Sequence, residues 1–71
     1  MPMHVTLFTK PGCPYCAAAK KYYNDLGVAF KEFDVKSKPE YAAAAMKLAD
    51  GSKVVPVIVE DGKVTIGFGG S

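Results

Sequence analysis

A chain of 71 residues that is 49% hydrophobic has room for one core and no second one, so residues 1–71 are read as a single domain. Nine lysines against seven acids, with no arginine, leave a formal charge of +2, too small and too evenly spread for a nucleic-acid or anionic-membrane footprint. No run approaches the roughly 18 apolar residues of a membrane span. Met1-Pro2-Met3-His4-Val5 lacks the charged and apolar regions of a signal peptide, so a cytoplasmic monomer is expected, with neither nucleic acid nor membrane as partner.

His4 to Thr9 reads as a first strand, with Val5, Leu7 and Phe8 ahead of the Lys10-Pro11-Gly12 break. From Pro14 to Leu26, Cys16, Ala19, Tyr23 and Leu26 recur at helical spacing, and Gly27 suits a C-terminal cap. Val28 to Val35 carries Phe30, Phe33 and Val35 among charges, the pattern of a half-exposed strand. Ser37-Lys38-Pro39-Glu40 has the form of a capping box opening a helix with Tyr41, Ala45 and Leu48 on one face, closed by Asp50-Gly51. Val54 to Val59 is the most β-prone run, and Asp61-Gly62 predicts a tight hairpin into Val64-Thr65-Ile66. The order is βαβαββ, without repeat or linker.

Cys13 and Cys16 are the only cysteines, and both fall where the first loop becomes a helix. A thiol in the first turn faces unpaired backbone N–H groups and the positive end of the helix dipole, which favour thiolate, the reactive form. The second thiol returns to the same helical face, within reach for closing a disulfide. In a cytoplasmic setting such a pair reads as catalytic or metal-binding rather than as a structural staple, because so short a loop removes little denatured-state entropy. Pro56 cannot donate to a sheet ladder, so it marks either an edge or bulge or the start of a strand, with the Val55 backbone then free for an extended peptide beside the cysteines.

Taken together, Thr9-Lys10-Pro11-Gly12-Cys13-Pro14-Tyr15-Cys16, Val55-Pro56 and Gly69-Gly70-Ser71 resemble the dithiol glutaredoxins of the thioredoxin-like superfamily, over nearly the whole length. The resemblance implies an α/β thioredoxin-like fold, a four-stranded mixed sheet flanked by helices, with the final helix missing or truncated after Ser71. It implies a cis bond before Pro56 and a glutathione site. In that site Lys10 meets the glycyl carboxylate, Tyr15 lines the groove, Val55 beside Pro56 pairs with the cysteine backbone of glutathione, and Gly70 and Ser71 offer N–H groups to the γ-glutamyl carboxylate.

The resulting expectation is a thiol–disulfide oxidoreductase with no permanently bound cofactor and glutathione as co-substrate. Cys13 attacks a protein disulfide or a glutathionylated protein; Cys16 or a second glutathione resolves the mixed disulfide. Two rivals stand beside it. One is a glutaredoxin-like electron donor to ribonucleotide reductase, recharged by thioredoxin reductase, to which Gly67-Phe68 bears a likeness. The other is a soft-metal carrier of the copper type, since thiolates select such ions. Against that carrier, Pro11 stands where small copper-binding domains usually place Met, and a helix separates the second and third strands. A closed zinc site would need two further ligands, and His4 is the sole histidine. A dimeric iron–sulfur carrier bridged by glutathione is a further form of this chemistry, for which the Cys-Pro-Tyr-Cys type looks poorly suited. Tyr22, Tyr23 and Tyr41 read as packing residues, His4 as strand surface, and Lys20 and Lys21 as a solvated helix face.

Overall fold

The computed structural model describes residues 4–51 and 55–68. Strand β1 (Val5–Thr9), helix α1 (Pro14–Asp25), strand β2 (Phe30–Asp34), helix α2 (Pro39–Leu48) and strands β3 (Val57–Glu60) and β4 (Lys63–Ile66) follow in the expected order. They form one mixed four-stranded sheet in the order β2-β1-β3-β4. A parallel return requires a long crossover, and α1 supplies it between β1 and β2, which pair from Val5↔Phe30 to Thr9↔Asp34. β3 runs antiparallel to β1, and β4 antiparallel to β3.

The period-two geometry of β1 divides the core between two sheet faces. Val5 and Leu7 pack with Ala19 and Tyr23 of α1 and Ile58 of β3; Phe8 turns the other way, to Ala45, Ala49 and Val57. Being central, β1 is covered on both faces, whereas every residue of β4 is exposed at the sheet edge. The β3–β4 hairpin turns at Asp61 and Gly62 with φ of 49° and 86°, the doubly left-handed pattern for which Asp-Gly is suited.

Both helices end as Asp/Gly chemistry dictates. After α1, Val28 N–H reaches the Tyr23 carbonyl and Gly27 N–H the Asn24 carbonyl, with Gly27 at φ 72°. After α2, the Gly51 N–H reaches the Met46 carbonyl at 2.7 Å.

Three expectations are corrected. The capping box does not form: the Ser37 hydroxyl donates to the Asp34 carbonyl at 2.7 Å, so it is spent on the turn leaving β2. Lys38 is the N-cap of α2 instead, with no side-chain cap and with Pro39 fixing the first turn. Leu26, the C-cap residue after Asp25, is not part of the core and is 58% exposed. On α2 the buried positions are Ala45 and the capping Ala49, while Leu48 is turned outward. β3 begins at Val57, directly after Pro56, in accord with that proline marking the start of a strand. Gly70 and Ser71 lie outside the described residues, as does any segment of a final helix.

Candidate active site at the start of α1

β1 delivers the chain to Lys10, and the reversal into α1 depends on Gly12, at φ 74°. A Cβ there would meet nothing within 4 Å, so glycine is required for backbone conformation rather than for room. Cys13 follows in extended conformation as the N-cap of α1, with Pro14 in the first turn, where its missing N–H costs nothing. The Cys13 Sγ occupies the place of a capping oxygen: it accepts the backbone N–H of Cys16 at 3.3 Å. The Val55 carbonyl oxygen stands 3.9 Å from the same sulfur, at the limit of a weak S–H···O contact.

The two thiols are free and differ in environment. Cys13 is half-buried and Cys16 fully buried on the α1 core stripe. Partial burial opposes ionisation of Cys13, but the Cys16 thiol, the Cys16 and Tyr15 backbone N–H groups and the Lys10 charge together outweigh it, and the Cys13 pKa falls below its usual range. Cys16 moves oppositely. Burial raises it first, its hydrogen bond to Cys13 and the Cys13 charge add to this, and the thiol is pushed up to about 11 against pulls from the Lys10 backbone and the Lys20 ammonium. The division into an accessible sulfur that ionises more readily and a sheltered one that ionises less readily is therefore set by position along a single helical turn.

An open cavity of about 390 Å³ lies over the pair, with Lys10, Gly12, Cys13, Cys16 and Lys20 among its walls. Of the residues expected at a glutathione site, Lys10 lines this cavity. Val55 faces Cys13 from across the loop, with Pro56 buried behind it after a cis bond. Tyr15 is exposed on the first turn of α1. Gly70 and Ser71 belong to the undescribed end. Among the described residues no three His, Cys, Asp or Glu side chains converge on a common point, and no helix is long and apolar enough to cross a membrane.

The sequence pattern places Lys20 on a solvated helix face, and here the structure departs from it. Its Nζ lies 3.1 Å from Glu32 Oε2 of β2, and the same oxygen accepts the Thr9 hydroxyl at 2.7 Å. Thr9 is the buried polar side chain of the described core, at 2% exposure. These contacts hold the Glu32 carboxyl below its usual pKa, the Thr9 hydrogen bond contributing most. The signal in the sequence is only the four-residue spacing from Cys16 to Lys20; the rest depends on the β1–β2 register.

Comparison with known proteins agrees with this geometry. The glutaredoxin family model matches residues 5–65. A glutaredoxin of Neisseria meningitidis serogroup B is 44% identical over 55 residues, covering 76% of this chain and 64% of that protein. The glutaredoxin-like protein NrdH of Lactococcus lactis subsp. cremoris is 30% identical over 64 residues, covering 90% and 86%. The chain spans only 24% of the hybrid peroxiredoxin hyPrx5 of Haemophilus influenzae, to which it is 34% identical. Among solved structures, the glutaredoxin-like NrdH-redoxin of Escherichia coli superposes with a TM-score of 0.78 at 31% identity, over 92% of this chain and 83% of that one. With the family model covering most of its length and the four-stranded mixed sheet in place, the chain belongs to the glutaredoxin family of thiol–disulfide oxidoreductases, and its fold is thioredoxin-like.

Proposed function

We propose that the Cys13 thiolate attacks one sulfur of a substrate disulfide, forming a mixed disulfide and releasing the other sulfur as thiolate. Cys16 then loses its proton to solvent and attacks Cys13 Sγ, expelling the second substrate thiol and leaving a Cys13–Cys16 disulfide. The observation that carries this reading is the Cys16 N–H held 3.3 Å from Cys13 Sγ, a donor aimed at the charge the nucleophile must carry. The substrates are protein disulfides and glutathionylated proteins.

Glutathione is the reductant this reading favours. Lys10 offers a cation to a carboxylate at the cavity wall, and the Val55 backbone beside Cys13 offers an extended partner to a short peptide. Tyr15, Pro56, Gly70 and Ser71 complete the site in this proposal. A second reading, electrons from thioredoxin reductase, is supported by the coverage of the Lactococcus NrdH over most of its own length and by the likeness to the Escherichia coli NrdH-redoxin, whose solved structure is described as having a thioredoxin-like activity profile. In that reading ribonucleotide reductase is the disulfide acceptor of electrons.

One disulfide substrate assayed with glutathione plus glutathione reductase, and separately with thioredoxin reductase, tests the assignment. Turnover with the first system is expected. Turnover with the second alone transfers the chain to the NrdH type, and turnover with neither defeats both readings.

A further inference from the structure

Resting on the assignment of Cys16 as the resolving thiol, we propose that Lys20 is a positioning residue for the second step of exchange: anchored by Glu32, it keeps a cation over the cavity beside Cys16 and favours the thiolate that must form there. The argument starts from placement. Lys20 lies four residues after Cys16, so the two side chains neighbour one another on α1. Both line the cavity that holds Cys13. A lysine left to itself samples many rotamers, and a half-exposed ion pair such as Lys20–Glu32 adds little to stability.

This pair is nonetheless tied to the core. Glu32 is fixed by the buried Thr9 hydroxyl, one residue before the loop that carries the thiols. Lys20 lines the cavity together with Cys16, whereas Glu32 is not among its walls. The groups acting on Cys16 are then the Cys13 thiol on its own helix, the backbone of Lys10 in the preceding loop, and Lys20, whose ammonium is paired with Glu32. Cys13 disfavours a charge on Cys16, and Lys20 is the side chain that opposes it.

The chemistry needs this cation at one moment only. In the mixed disulfide Cys13 is neutral, and what Lys20 then opposes is the burial that holds the Cys16 thiol protonated. Removing the Lys20 charge raises that cost. If the Cys16 pKa rises by one unit, the thiolate fraction at neutral pH falls about tenfold while its intrinsic nucleophilicity rises about threefold, for a net slowing of about threefold. The first step, performed by Cys13, is untouched.

Stopped-flow reaction of the reduced protein with stoichiometric 5,5′-dithiobis(2-nitrobenzoate) separates the steps. Attack by Cys13 releases one thionitrobenzoate, and resolution by Cys16 releases the other. Lys20→Met is expected to leave the first phase unchanged, to slow the second about threefold at neutral pH and to displace its rate–pH profile to higher pH; Lys20→Arg restores both. An unchanged second phase, equal slowing of both phases, or an Arg variant that behaves as Met overturns the role of Lys20. A wild-type protein that shows no second release overturns instead the assignment of Cys16 as resolving thiol.

Discussion

The two helices begin alike and differ in one atom. Each has an extended N-cap residue and a proline in its first turn, but at α1 the cap is Cys13, whose sulfur accepts the Cys16 N–H, and at α2 it is Lys38, whose side chain caps nothing. At α2 the Tyr41 N–H falls back on the Lys38 carbonyl at 3.1 Å. Lys38 instead lies 5.5 Å over the Tyr41 ring. The comparison teaches that a helix end alone is not enough for the proposed chemistry: the same orphan donors exist in both places, and only at α1 do they meet an ionisable capping atom.

Replacing that cap breaks the comparison most sharply. Cys13→Ser keeps a capping atom but loses the thiolate, and disulfide exchange is expected to fall to background in a reductase-coupled assay; undiminished turnover sinks the nucleophile assignment. Cys16→Ser is milder, since a second glutathione can resolve the mixed disulfide, so a monothiol cycle on glutathionylated substrates is expected to persist.

Peptide-resolved alkylation across pH sharpens the contrast further. Cys13 is expected to react first at and below neutral pH, with Cys16 ionising only toward about 11. Cys16 modified ahead of Cys13 would contradict the electrostatic account.

A smaller effect appears in stability at high pH. Tyr23 donates to Glu60 Oε2 at 2.9 Å, and burial followed by that hydrogen bond pushes its phenol up to about 12 from 10.0. A raised acid pKa means the folded state retains a proton that the unfolded state loses. The contribution is therefore complete below pH 10 and lost as pH approaches 12. Denaturation midpoints should fall through that window, Cys16 adding its own decline between 9.0 and about 11, and Tyr23→Phe should flatten the upper part. A midpoint independent of pH from 9 to 12 would contradict both.

The smallest change tests the silent helix start. Lys38→Asp supplies the missing cap at α2, worth about 1 kcal/mol, and forfeits a cation–π contact worth about 0.5 kcal/mol. A net gain of roughly 0.5 kcal/mol is expected by chemical denaturation. A loss would show that the Tyr41 contact outweighs the cap.

Much of this was legible in the sequence because it rests on local rules. Alternation in β1, the Asp61-Gly62 turn, the Gly27 stop and the loop-to-helix placement of Cys13 and Cys16 each depend on a few neighbouring residues, and each has its counterpart in the structure. What escaped depends on a choice between competing local partners, on where an element stops, or on a partner distant in sequence. The Ser37 hydroxyl has two roles open to it, accepting the Glu40 N–H as a cap or donating to the Asp34 carbonyl, and the turn leaving β2 brings the Asp34 carbonyl to it. Leu26 matched the helical period, yet the period carries no information about where the helix stops. Lys20 was indistinguishable from Lys21 by composition; one meets Glu32 across the β1–β2 register, the other meets Asp25 on its own helix, far from the thiols.

Sulfur as a capping atom also couples two properties usually considered apart. Wherever the pH exceeds the folded-state pKa of Cys13, the reduced chain carries a negative charge on its first helical turn, and oxidation of the pair withdraws that charge. Closing a thermodynamic cycle, whatever the anion contributes to holding α1 is also a bias toward the dithiol form, and about 1.4 kcal/mol of it moves a two-electron potential by about 30 mV in the oxidising direction. Electron affinity is in this sense a mechanical property of where one helix starts.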